Sequence, residues 1–82
     1  MIWTVYILEC ADGSLYTGIT NDLERRMDAH ARGKGAKYTR HRGPFTVRYT
    51  ESLDSKGAAL QREAAIKALD RPSKMALLAT HS

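Results

Sequence analysis

Residues 2–20 read IWTVYILECADGSLYTGIT, and this stretch decides the architecture. Positions 2–9 are rich in β-branched and aromatic side chains and apolar on both alternating faces, the pattern of a central strand covered on both sides. Ala11-Asp12-Gly13-Ser14 supplies a turn, and Leu15 to Thr20 the returning strand. Asp12-Gly13 fits a three-residue loop, a type I turn closed by a glycine bulge with Gly13 left-handed. Cys10 then faces Ser14 and Leu8 faces Tyr16. Because side chains alternate with period two, Tyr6 and Tyr16 fall on one face of the sheet. A two-residue loop would set them on opposite faces.

Downstream of the hairpin, Asn21 or Thr20 can cap a helix, with Glu24 in capping-box position after Asn21. The helix is expected to reach about Ala31 and stop at Gly33. Leu23, Met27 and Ala31 form its expected buried stripe, while Arg26 and His30, also four apart, share a neighbouring strip. A third strand is read over 45–51 (FTVRYTE), after Pro44. A second helix spans about 56–69, capped by Asp54 or Ser55, with Ala58, Ala59, Ala65, Ile66 and Leu69 as its apolar face and Glu63 at the edge of that face. Asp70-Arg71-Pro72 breaks the chain, Ser73 caps, and a last helix runs to about Thr80.

A chain of 82 residues has room for one domain, taken as 1–82, and must use its core economically. A hydrophobic share of 43% suits a globular fold. The apolar runs are too short for a membrane span, and Met1 leads straight into a strand pattern, so a cytoplasmic location is expected. Cys10 is the single cysteine. This excludes an internal disulfide and a thiolate zinc site, and Cys10 reads as a small apolar residue at a strand end.

The net charge of +4 is unevenly spread. Arg25, Arg26, Arg32, Lys34, Lys37, Arg40, Arg42 and Arg48 hold 8 of the 13 cationic residues, opposed in that stretch only by Asp28. Such a run gives salt-sensitive, largely sequence-independent attraction to nucleic acid. Arg25, Lys34, Lys37, Arg40 and Arg42 are the candidate nucleic-acid contacts. Gly33 to Lys37 form a basic loop able to approach phosphates closely but without the spacing of a nucleotide-binding P-loop, so no nucleotide cofactor is expected. Trp3, Tyr38 and Tyr49 could stack on bases, although core or rim packing is the commoner fate of such rings.

Two phenols, a guanidinium and an imidazole gather within the first 30 residues. Cleaving a phosphodiester needs a proton acceptor for water, a cation for the phosphate and help for the leaving oxygen. Tyrosine, with a reference pKa of about 10, is a poor base in water. A metal-bound water, a guanidinium or a histidine beside it is expected to make the phenolate more accessible. Arg26 offers a planar fork for non-bridging oxygens. Glu63 could anchor one divalent ion, Mg²⁺ or Mn²⁺, or simply pair with Lys67 one helical turn on.

Thr4-Val5-Tyr6, Tyr16-Thr17-Gly18, the helix Asp22-Leu23-Glu24-Arg25-Arg26 with His30, and Arg62-Glu63 with Ile66-Lys67 occur in the order seen in the GIY-YIG nuclease superfamily, and the chain resembles its small bacterial members over residues 2–80. The resemblance implies an α+β fold, a three-stranded antiparallel sheet flanked by helices in the order β-β-α-β-α-α. It implies endonucleolytic cleavage of DNA with one divalent metal. Carried across, Tyr6 is the general base ahead of Tyr16, which lies beside it on phosphate or water. Arg26 stabilises the transition state, His30 orients a tyrosine or relays its proton, and Glu63 binds the metal.

Thr4 stands where the family motif has its first glycine, and the late asparagine common in the family has no counterpart, since Asn21 is the only asparagine. With no room for a DNA-targeting domain, site selection falls to the basic loop, to oligomerisation or to a protein partner. The competing expectation is a nucleic-acid-binding module that keeps the fold without cleaving.

Overall fold

The computed structural model describes residues 2–34 and 43–80. The order is β1 (Trp3–Glu9), β2 (Leu15–Thr20), α1 (Leu23–Ala31), β3 (Thr46–Leu53), α2 (Lys56–Lys67) and α3 (Arg71–Ala79). The three strands form one antiparallel sheet ordered β2-β1-β3, so the apolar strand is the central one.

The turn between β1 and β2 has the three-residue form. Gly13 sits at φ +85°, its N–H donates to the Cys10 carbonyl at 2.9 Å, and the Cys10 N–H donates to Ser14 at 2.8 Å. Asp12 stabilises the turn by accepting from the Ser14 amide and hydroxyl. Leu8 therefore pairs with Tyr16 and Tyr6 with Gly18, which puts both phenols on one face.

On the opposite face Val5 and Ile7 pack with Tyr49, Ala59, Ile66 and Leu78, so α2 and α3 close the main core. Full burial of side chains such as Ile7 and Ile66 is worth about 1.5–3 kcal/mol each. The apolar face of α2 is narrower than its composition implies: Ala59 and Ile66 are buried, while Ala65 and Leu69 are exposed. Tyr49 belongs to this core and donates its hydroxyl to Glu51 at 2.6 Å. Trp3 packs against the core too, with Lys56 5.4 Å above its ring. Tyr49 is therefore not displayed for base stacking and Trp3 is half-buried; Tyr38 lies outside the described residues.

β1 and β3 pair with a register break between Ile7 and Leu8, where Arg48 is the extra residue of the bulge. Arg48 forms an ion pair with Glu9 across the strands, and Arg32 pairs with Asp28 at 3.1 Å along α1. Two members of the basic run are thus occupied by local acids.

The helix ends differ from the expected caps. Asp22, rather than Asn21 or Thr20, caps α1 by accepting from the Arg25 amide at 3.1 Å. Thr20 is already engaged with the Asp22 backbone through its hydroxyl. Gly33 ends the helix at φ +73°. Ser55 caps α2, which stops at Lys67. Asp70, not Ser73, caps α3 by accepting from the Ser73 amide at 2.9 Å, which leaves Pro72 in the first turn, where it lacks no needed donor. No described helix is long and apolar enough to cross a membrane.

Candidate functional site

The buried residue of α1 is His30, at 1% exposure, whereas Ala31 is exposed and Leu23 and Met27 only half-buried. The helix turns its imidazole to the sheet because a polar partner waits there. Tyr6 projects from β1 and its hydroxyl lies 3.0 Å from His30 Nε2. Arg26, one turn earlier, donates from Nε to the same hydroxyl at 3.3 Å. Tyr16 stands beside them, its ring 6.4 Å from Tyr6 and 5.5 Å from His30. Tyr6, Tyr16, Arg26 and His30 therefore form one cluster.

Burial decides the protonation of this cluster. It pushes the Tyr6 phenol above its ordinary value, and the hydrogen bond and charge of Arg26 offset this only in part; Tyr16 and Glu63 add smaller upward pushes. The Arg26 guanidinium therefore does not by itself make the Tyr6 phenolate more accessible, because desolvation outweighs this single cation. His30 is pushed below its ordinary value, first by burial and then by the Arg26 charge. Arg26 is held more firmly protonated by its bond to Tyr6. Both rings are neutral at pH 7, and the imidazole tautomer sets which of them donates across the 3.0 Å contact.

Tyr6 has no exposed surface, whereas Tyr16 is half-buried. Arg26 is one of the groups that cover the Tyr6 hydroxyl.

Glu63, on α2, is near enough to Tyr6 for its charge to disfavour ionisation of the phenol, and its side chain is 18% exposed. It pairs with Lys67 at 3.4 Å. Among the described residues no three His, Cys, Asp or Glu side chains gather for a metal. A single carboxylate is still enough for a Mg²⁺-type ion that keeps several waters and takes its other ligands from phosphate.

Arg25 is exposed and lines, with Arg26, a polar hollow of about 580 Å³ at the start of α1. Lys34 is exposed just beyond Gly33. Lys37, Arg40 and Arg42 lie outside the described residues.

Two neighbours escaped the sequence reading. Gly18 faces Tyr6 across the hairpin so closely that a Cβ there would stand 2.6 Å from the Tyr6 oxygen. A glycine inside a strand is itself the signal of such an approach. Phe45, just before β3, closes over His30 with ring centres 5.9 Å apart. No local pattern joins those two residues.

The GIY-YIG catalytic domain family matches residues 2–76. A UPF0213 protein of Halobacterium salinarum is 56% identical over 73 residues, covering 89% of this chain and 95% of that one. Another from Oceanobacillus iheyensis is 55% identical over 74 residues, covering 90% and 86%. Among solved structures, the solution structure of a UPF0213 protein from Bacillus halodurans aligns at 51% identity with a TM-score of 0.65, covering 98% of this chain and 85% of that one. That of a protein from E. faecalis aligns at 37% identity and 0.66, covering 99% and 88%. The chain belongs to the GIY-YIG catalytic domain family.

Proposed function

We propose that this family member is a metal-dependent endonuclease that hydrolyses DNA phosphodiester bonds, branched or damaged DNA being the substrates to try first. The observation that carries the reading is the linked set Arg26 Nε, Tyr6 hydroxyl and His30 Nε2, with hydrogen bonds of 3.3 and 3.0 Å and Tyr16 alongside. It contains a cation for the phosphate and a two-step route for a proton.

In this mechanism the phosphate draws the Arg26 guanidinium off the Tyr6 oxygen, and the fork binds two non-bridging oxygens. Water then yields a proton to the Tyr6 oxygen as the phenol proton passes to His30 Nε2, so no phenolate has to be formed in advance. The hydroxide so produced attacks phosphorus while Arg26 offsets the growing negative charge, and the bond to the leaving oxygen breaks. Imidazolium returns its proton through Tyr6 after the products part. Tyr16, at the surface, orients the water or holds the phosphate. Glu63 would hold the divalent cation, which would supply Lewis-acid stabilisation of the phosphate and the leaving alkoxide. Lys67 must then give up its ion pair.

Arg25 and Lys34, together with Lys37, Arg40 and Arg42, would supply backbone attraction, and a protein partner or a second copy would supply site selection. A cytoplasmic location accords with this role. Incubating the protein with plasmid, flap and four-way-junction DNA in Mg²⁺, Mn²⁺ or chelator tests the reading. Cleavage that needs metal and disappears in Tyr6→Phe and Arg26→Ala supports it. Tight binding without cleavage would replace it with a nucleic-acid-binding module of the same fold.

A further inference from the structure

At the end of β2 remote from Arg25 and Arg26 lies a second hollow, of about 300 Å³, lined by Leu15, Tyr16, Thr17, Lys67 and Lys74. Its cations come from α2 and α3 and lie outside the basic run of residues 25–48. Lys67 is 54% exposed and holds Glu63, whereas Lys74 has no ion-pair partner among the described residues. Arg71 adds a third cation on this side, its guanidinium reaching the Gly13 carbonyl at 3.3 Å. Tyr16 is thus flanked by cations on both sides.

We infer that Lys67 and Lys74 form a second DNA-backbone site, which binds a phosphate flanking the one at Arg26 and Tyr16. The inference rests on the nuclease reading and extends it to the path of the substrate. Thr20 borders the first hollow and Tyr16 the second. Four residues of strand separate them, about 13 Å along β2. Duplex DNA advances about 3.4 Å of helix axis per base pair, so a duplex lying with its axis along β2 covers that distance in roughly four base pairs. Lysine suits the outer position, because a mobile point charge holds a phosphate without demanding one orientation, whereas the reacting phosphate needs the arginine fork. Lys67 already lines this hollow and is 54% exposed while it holds Glu63, so it meets a phosphate there without metal.

The test measures binding of a fluorescent DNA duplex by the full chain over a range of NaCl in chelator, with no cleavage required. Lys67→Gln, Lys74→Gln and the double variant are compared with Lys56→Gln, each checked for folding by circular dichroism. Lys56 lies at the far end of α2 over Trp3, about 16 Å of helix away, and controls for net charge. The double variant is expected to bind roughly tenfold more weakly and to lose between one and two units of log–log salt slope, about 0.9 per phosphate contact. Lys74→Gln alone should show about half of this, and Lys56→Gln little. Unchanged affinity and slope in the double variant, with Arg25→Gln lowering both, would overturn the lysine site and leave the nuclease reading standing. Equal losses in Lys56→Gln would reduce the effect to net charge and also overturn it. A wild-type protein that binds no DNA at any salt concentration would sink both.

Discussion

The hydroxyl of Tyr6 rests against the α-carbon of Gly18, its partner across the β1–β2 pair, with space for a hydrogen and not for a methyl group. The ring is held there by Arg26 and His30, so the contact sets where the phenol oxygen lies.

Gly18→Ala should therefore move Tyr6 rather than unfold the chain. Overpacking costs about 1–3 kcal/mol, and a displacement of about 1 Å at a reacting group costs roughly a hundredfold in rate. Thermal melting and DNA-cleavage rates would show a modest loss of stability beside a large loss of turnover. Near-normal turnover would mean that the Tyr6 oxygen takes no part in the reaction.

Arg26→Ala removes the cation proposed to meet the transition state, and a loss of roughly 10²–10³ in kcat is expected. The same change lifts the Arg26 contribution to the lowering of His30, so the acid limb of the pH–rate profile should move to higher pH. A lower rate with an unmoved limb would separate the guanidinium from the imidazole.

Glu63→Gln keeps the shape of the side chain and removes its charge. Cleavage should fall and its dependence on Mg²⁺ concentration should shift upward or vanish, while DNA binding in chelator remains. An unaltered metal titration would place the ion elsewhere.

His30 makes stability depend on pH in a calculable direction. Its folded-state pKa lies below the ordinary value of about 6.5. Between the two values the unfolded chain binds more protons, so stability rises with pH. The contribution is complete above about pH 6.5 and is lost as pH falls through that window. Melting temperatures from pH 8 to 5 should decline at the acid end, and His30→Phe should flatten that decline. Under the proposed mechanism, which needs neutral imidazole, activity should show its acid limb below 6.5. A steeper decline in His30→Phe would contradict the protonation state assigned to this ring.

Ile66→Ala should destabilise the fold by about 2–5 kcal/mol, because Ile66 is fully buried between α2 and the sheet. Urea unfolding measures this directly. A smaller value would mean that Leu78 and Ala59 close over the gap.

The hairpin, its turn type and the shared face of Tyr6 and Tyr16 were legible because they depend on neighbours in sequence. So was the central position of β1, apolar on both faces. The orientation of α1 was not. Its apolar residues suggested that Ala31 turns inward, but burying His30 satisfies the Tyr6 hydroxyl, and that long-range hydrogen bond outweighs a methyl group. The cap of α1 was misplaced by one or two residues: Asn21 or Thr20 was expected, but the Thr20 hydroxyl is taken by the Asp22 backbone and Asp22 itself caps the helix. Phe45 over His30 and the bulge at Arg48 depend on how β3 returns to β1, which no local signal carries. The proximity of Glu63 to Tyr6 followed from the family resemblance and not from periodicity.

The Ala11-Asp12-Gly13 turn also constrains how this chain can change over generations. Losing or gaining a single codon there would rotate every β2 side chain to the other side of the sheet and send Tyr16 away from Tyr6 and His30. Changes of two codons would restore the pairing after one such step. Viable descendants should therefore differ in turn length by even numbers, however freely the turn residues themselves vary.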